Sequence, residues 1–153
     1  MPEITPMMTV LGSGFALHRA RRLIIEFDVF QDNRFGDIND NHVGIDINSG
    51  RSTVSEKASY WTETRTGGKN QWLFKEVKLS SGDNYKVWIE YKNSKVSVTL
   101  APAHLRKPKR PLIETHVDLS KVVLEKMYTG FAGSMDRGIK RHDIWSWSFE
   151  NTA

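Results

Sequence analysis

The sequence contains no cysteine, which excludes a disulfide framework and any thiolate metal site. It has no apolar run near the roughly 18 to 20 residues that a membrane-spanning helix needs. Met1 to Arg22 lacks the apolar core of a signal peptide, and its positive charges follow its apolar residues rather than precede them. Internal repeats are absent, and no stretch carries the period of a long helix. Proline is scarce, five in all, with three of them gathered in Ala101 to Pro111, a segment that cannot sit in a central strand. What remains is an ordinary globular mixture, 39% apolar and 26% charged over 153 residues, enough for one domain or part of one.

The patterning that is present is almost wholly β. Arg22 to Phe30 and Val43 to Asn48 read as strands joined by an acidic loop, followed by Trp72 to Leu79, Tyr85 to Tyr91, Val96 to Leu100 and Leu112 to Val117. Lys92-Asn93-Ser94-Lys95 reads as a hairpin turn. Tyr128 to Ala132 and Asp143 to Phe149 complete a count of about eight strands. Gly50 to Asn70 is polar, and Thr62 to Asn70 reads as an exposed loop of low order around Gly67-Gly68. Leu119 to Glu125 holds at most a short helical turn. The fold class is therefore all-β, an antiparallel two-sheet sandwich of jelly-roll type. Trp145 and Trp147 alternate with Ser146 and Ser148, which predicts an aromatic face in the sandwich core, with a sugar-stacking platform as the lesser reading.

The chemistry concentrates in Ile24-Ile25-Glu26-Phe27-Asp28-Val29-Phe30-Gln31-Asp32. Strand alternation puts Glu26 and Asp28 on one face about 7 Å apart, with Ile25, Phe27 and Val29 on the other. Burying ionised carboxylates side by side is costly unless they protonate, meet water or hold a cation. Asp37 and His42 follow within a loop rich in Asn, Asp and Gly. Glu26, Asp28, Asp32, Asp37 and His42 together supply the oxygen ligands that Ca2+ and Mn2+ take, with an imidazole that suits Mn2+ better than Ca2+. A solvated acidic loop after an edge strand fits the same spacing.

Other groups carry less. His104, Arg106, Lys107, Lys109 and Arg110 form a basic run in a chain of isoelectric point near 9.4. Such runs are usually solvated loops, so nucleic acid is not expected as a partner. His42 with Asp37 and a metal-bound water could serve as a general base. No nucleophile motif accompanies them, and His18, His104, His116 and His142 are scattered. No catalytic residue is assigned, and an enzyme is not expected.

The stretch Ile25-Glu26-Phe27-Asp28-Val29-Phe30, then Asp37, then Asn41-His42-Val43-Gly44-Ile45-Asp46-Ile47-Asn48-Ser49 with Ser52, closely resembles the metal-binding signature of legume lectins. The variant Gly36-Asp37-Ile38-Asn39-Asp40-Asn41-His42 looks most like the lectin ectodomains of plant L-type lectin receptor kinases. The likeness continues through Tyr85 to Tyr91, Lys107 to Leu112, Val117-Asp118-Leu119, Met127 to Phe131 and Trp147-Ser148-Phe149. It divides the chain into an unassigned segment, 1–22, and a partial legume lectin domain, 23–153.

The resemblance implies a concanavalin A-like sandwich whose sugar-binding loop is ordered by Ca2+ and Mn2+. It makes Glu26 and His42 manganese ligands, Asp28 and Asp37 bridging ligands, and the Phe30 carbonyl and Asp32 calcium ligands, with Ser52 holding a metal-bound water. Asp32 stands where relatives usually carry an Asn that donates to the sugar, which an ionised Asp cannot do; Asn33 is adjacent. Met135, Asp136 and Arg137 fall in the loop that sets sugar specificity, where relatives commonly have a Thr-Gly step. In the family the matching strand lies near the middle of a longer domain. The resemblance therefore implies a sandwich incomplete at its N-terminal half, with exposed edges open to self-association. Relatives are extracellular or at the plasma membrane. Two functions follow as expectations: a carbohydrate-binding module for a glycan or glycoprotein, or a truncated lectin-like protein without sugar binding that acts as an interaction or structural partner.

Overall fold

The computed structural model describes the backbone of Met7–Met8 together with residues 21–133 and 141–150. Four strands, β1 (Met7–Met8), β2 (Leu23–Asp28), β3 (His42–Ile47) and β4 (Ser52–Lys57), lie side by side in that order. β1 runs parallel to β2, and the other pairs are antiparallel. A hairpin of β5 (Ser59–Thr66) and β6 (Lys69–Glu76) follows. Strands β7 (Tyr85–Lys92), β8 (Lys95–Pro102) and β9 (Ile113–His116) make a third antiparallel sheet with β8 in its centre. A single turn of helix, α1 (Leu119–Val122), is capped by Asp118, whose carboxylate accepts from the Ser120 amide at 3.2 Å. The described residues thus form the antiparallel, nearly all-β architecture that the patterning predicts.

Period-two alternation builds the core. Leu23, Ile25 and Phe27 of β2 share a face with Val43 and Ile45 of β3 and pack against Val96, Val98 and Leu100 of β8 and Ile113 of β9. The opposite face of β2 and β3 carries Glu26, Asp28, His42 and Asp46, and these are buried as well. One strand pair therefore serves the apolar core with one side and a polar cluster with the other. The turn Asn93-Ser94 has both residues at positive φ, 53° and 58°, the two-residue geometry that matches the twist of a hairpin.

Several expectations are corrected. Residues 50–70 are not a polar loop: they form β4, β5 and the start of β6, and Gly67-Gly68, at φ 59° and 78°, is a tight hairpin turn. The β5–β6 hairpin keeps much of both faces in water, so its sequence lacks the apolar alternation that marks a half-buried strand. Residues 128–132 and 143–149 are not strands, and Trp145 and Trp147 are 78% and 56% exposed rather than in the core. Alternation states only that a segment can pair, and no described strand lies beside this one. The basic run does lie in an exposed loop between strands, as expected, and is tied to its neighbours there: Lys107 meets Glu90, Lys109 donates to Glu63 at 2.9 Å, and Arg110 stacks over Trp61 and Trp72. β8 extends to Pro102, beyond the end of β9, where among the described residues its second edge has no ladder for proline to interrupt.

Asn41 ties the acidic loop to the end of β6. Its side-chain amide donates to the Val77 carbonyl at 2.7 Å, and its Oδ1 accepts from the Leu79 amide at 2.9 Å. Asn41→Ala leaves both backbone groups without these partners, at an expected cost of about 1 to 3 kcal/mol in unfolding free energy. Urea denaturation of the two proteins measures it, with Asn41→Asp, which keeps only the acceptor, falling between them.

Candidate metal centre

The register of β2 on β3 assembles the site. Asp28 lies opposite His42, Glu26 opposite Gly44 and Ile24 opposite Asp46, and residues directly opposite share a face. Ligand atoms of Glu26, Asp28 and His42 all lie within 4.8 Å of one another, and all three residues are buried. Two ligands on opposite sides of a calcium ion are about 4.6 to 5.2 Å apart, so the trio is already closed to the dimensions of an ion site. Gly44 makes the room: a Cβ there would stand 2.2 Å from Ser52 Oγ and 3.3 Å from Glu26 Oε2.

His42 is set up as a ligand. Its Nδ1 lies 2.8 Å from the Asn39 carbonyl, which can only accept, so Nδ1 carries a proton and, in the neutral ring, Nε2 is the atom left with a lone pair. That Nε2 is buried and has no hydrogen-bond partner. The carboxylates are correspondingly uncomfortable. Burial, then the charges of Asp46 and Asp28, push Glu26 up to about 9. Burial also raises Asp28, against a lowering by the Phe30 amide, which donates to Asp28 Oδ1 at 2.7 Å. An orphaned imidazole lone pair beside buried, proton-seeking carboxylates is the donor set that a divalent cation fits.

Asp46 joins this cluster although the sequence reading passed over it. It is 1% exposed, burial raises its pKa, and its Oδ1 accepts from Ser52 Oγ at 2.7 Å. Ser52 Oγ also lies 3.2 Å from Glu26 Oε2. One hydroxyl proton cannot serve two carboxylates, so the ion-free cluster is satisfied when one acid holds a proton. The parity of β3, which places Asp46 on the face of His42 and Gly44, was the available signal.

The remaining candidates lie in the loop. Asp37 Oδ2 accepts from the Asp32 amide at 2.6 Å, so it braces the loop rather than joining the closed trio. Asp32 is held by Arg34, whose backbone amide donates to Oδ1 at 2.9 Å and whose guanidinium contacts Oδ2 at 2.5 Å. These bonds from Arg34 hold the Asp32 carboxyl below the usual range. The Asn33 carbonyl accepts from the Gly36 amide at 3.3 Å. Phe30, Phe35 and Ile38 expose apolar side chains around this loop. Met135, Asp136 and Arg137 lie outside the described residues.

Comparison with known proteins matches the same region. The family described as Legume lectin domain matches residues 13–153. A lectin-like protein of Arabidopsis thaliana is 83% identical over 129 residues, which cover 84% of this chain and 46% of that protein. A second lectin-like protein from that plant is 65% identical over 129 residues, 84% of this chain and 47% of its own length. A probable L-type lectin-domain containing receptor kinase of Arabidopsis thaliana is 46% identical over 133 residues, 87% of this chain and 19% of the kinase. The chain thus spans about half the length of the lectin-like relatives. A match running from before β2 to the last residue, through the strand pair that gathers Glu26, Asp28 and His42, leaves one assignment: the chain belongs to the legume lectin family.

Proposed function

We propose that this chain is a lectin-like, carbohydrate-binding module in which Ca2+ and Mn2+ neutralise the buried acids and order the loop from Asp32 to Asp37. The observation that carries the reading is the buried, unpartnered His42 Nε2 facing Glu26 and Asp28. Glu26 and His42 would hold manganese, and Asp28 with Asp37 would reach both ions; the Phe30 carbonyl and Asp32 would complete the calcium side. Ser52 would place a metal-bound water. The ions supply positive charge that lets these carboxylates stay ionised out of water. A preordered loop then meets a glycan or glycoprotein without paying for its own ordering. Asp32, Asn33 and residues 135–137 are the proposed sugar contacts.

A second reading has its own support. The Arg34 contacts occupy both oxygens of Asp32, and an Asp so held neither donates to a hydroxyl nor opens toward an ion. On that reading the chain keeps its metal cluster and does not bind sugar. Calorimetric titration of chelator-stripped protein with Ca2+ and Mn2+, followed by a glycan array with and without chelator, separates the two. Metal-dependent glycan retention supports the first, metal binding with a silent array supports the second, and absence of metal binding removes both.

Gly44→Ala provides a structural check, because its methyl group enters the space between Ser52 and Glu26. The expected result is a loss of metal affinity of about 10- to 100-fold, read by the same titration. Ser52→Ala in the Gly44→Ala background removes the 2.2 Å contact with Oγ, leaving the Cβ of residue 52 at 3.2 Å, and should recover part of the lost thermal stability.

The raised carboxyls give a pH signature. Glu26 sits at about 9 in the folded, ion-free chain against 4.5 for the ordinary side chain, so between those values the folded state keeps a proton that the unfolded chain has lost. Stability from this group is full below pH 4.5 and falls as pH rises toward about 9. Asp28 and Asp46 shift in the same direction. Saturating Mn2+ and Ca2+ displace the proton and should flatten or invert the slope. Denaturation midpoints across this range test it; a chelated protein whose midpoint rises with pH would contradict the assignment.

A further inference from the structure

The cluster meets its charge differently on its two sides. On the strand side, His42 Nε2 is buried without a hydrogen-bond partner beside Glu26 and Asp28. On the loop side, Asp32 is also buried but already holds a cation of the chain's own. The Arg34 amide donates to Asp32 Oδ1 at 2.9 Å, its Nε donates to Oδ1 and Oδ2 at 3.0 and 3.1 Å, and its Nη2 donates to Oδ2 at 2.5 Å. A carboxylate has about four lone-pair positions, and these contacts take them. The pairing is local. An Asp that accepts from the amide two residues on forms a turn of its own, which carries the Arg34 side chain back to the same carboxylate with little loop entropy to lose. The two partners are unequally sheltered: the Asp32 side chain is 8% exposed and that of Arg34 74%, with the Phe35 ring 5.9 Å from the guanidinium carbon. Asp32 is also fixed through its backbone, its amide donating to Asp37 at 2.6 Å and its carbonyl accepting from the Phe35 amide at 3.1 Å. The guanidinium can therefore leave while the carboxylate stays.

We propose that Arg34 is the resident counterion of Asp32, and that Ca2+ gains this carboxylate only by exchange, with Arg34 turning out into water as the ion enters. The proposal rests on the metal-centre reading above and concerns what regulates its loop side. A calcium ion needs a lone pair that Arg34 now uses, and a guanidinium kept within contact distance would repel it. Asp32 and Arg34 together carry no net charge, so the loop side is satisfied by the chain itself. The strand side instead presents an unpartnered Nε2 to any ion that enters. The two sides therefore load unequally. Mn2+ at Glu26 and His42 leaves the Arg34 pair untouched, whereas Ca2+ at Asp32 carries the cost of breaking charge-assisted bonds. Arg51 offers an internal comparison. Its Nε lies against the same loop, 3.2 Å from where a Cβ on Gly36 would stand. Among the described residues no hydrogen bond or ion pair joins it to Asp32. Arg51 thus shares the charge of Arg34 without its contact.

Titration calorimetry on the chelator-stripped full chain, with Mn2+ first and then Ca2+, reads the two sides separately. Arg34→Gln keeps a polar side chain and removes the charge; it should raise Ca2+ affinity by about 10-fold and leave Mn2+ affinity as it is. Arg51→Gln should change neither by a comparable amount. A second readout follows Arg34 itself. With diamagnetic Zn2+, which imidazole also suits, in place of Mn2+, the Nε–H resonance of Arg34 in an isotope-labelled sample should move to that of a solvated arginine as Ca2+ is added. Its assignment comes from its absence in Arg34→Gln. These results together support the exchange. Equal Ca2+ affinity in the wild type and Arg34→Gln overturns it while leaving the metal centre in place. An equal gain in Arg51→Gln does the same, because the effect is then one of general charge. A fall in Mn2+ affinity on Arg34→Gln also overturns it, since Arg34 is then a prop for the loop rather than a counterion. No binding of either ion by either protein removes the metal centre and the exchange together.

Discussion

The buried carboxylates on the outer face of β2 and β3 constrain everything around them. Glu26, Asp28 and Asp46 are each at most 7% exposed, and they share their surroundings with a His42 that is wholly buried. Burial raises all three acids. A sheet can tolerate this only by protonation or by acquiring positive charge, and both routes act on the same strand pair that builds the core. Leu23, Ile25 and Phe27 point to the apolar side of β2 while Glu26 and Asp28 point to the other. The fold and the polar cluster are therefore thermodynamically linked: a cation that binds only the assembled cluster stabilises the sandwich by mass action.

The loop geometry follows from that constraint. His42 is oriented by Asn39, Asn41 fastens the loop to Val77 and Leu79, and Asp37 accepts from the Asp32 amide. Each bond is local or runs to the segment just after β6, so the loop is braced at several points by the chain itself. Its weakest position for ligand binding is Asp32, because Arg34 already satisfies the carboxylate. A guanidinium fork on a carboxylate is a strong competitor for either an ion or a hydroxyl.

Much of the cluster was legible in the sequence because strand alternation is rigid. Two carboxylates spaced by two residues must share a face, and Gly44 and His42 fall opposite them once the connecting loop is allowed its length. Asp46 was legible by the same parity, since it alternates with Ile45 and Ile47 in β3 and so faces the side of Gly44 and His42. Strand β5 and the start of β6 were not legible by periodicity, since a strand with water on much of both faces has no apolar alternation to display, whereas the rest of β6 falls within the strand read from Trp72. The Gly67-Gly68 dipeptide, read as the centre of a loop, is the hairpin's turn. The opposite error occurred at Trp145 and Trp147, where alternation is clear and no described strand stands beside the segment. Local pattern records what a segment can do, whereas pairing depends on what lies next to it.

Metal binding and sugar binding separate at this point, because they rest on different residues. The cluster of Glu26, Asp28, Asp46 and His42 is closed within one strand pair and needs nothing from elsewhere in the chain beyond Ser52 and the loop that orients the imidazole. Recognition of a glycan instead needs donors and acceptors that converge from several loops. The described part of that surface offers a carboxylate committed to Arg34 and three exposed apolar side chains, Phe30, Phe35 and Ile38. An ion would meet the electrostatic demand of the buried acids whether or not a sugar ever binds. That asymmetry makes the cation the more basic of the two proposed ligands: the sugar would need the loop the ion would order, while the ion would need only the charge that β2 and β3 have already buried.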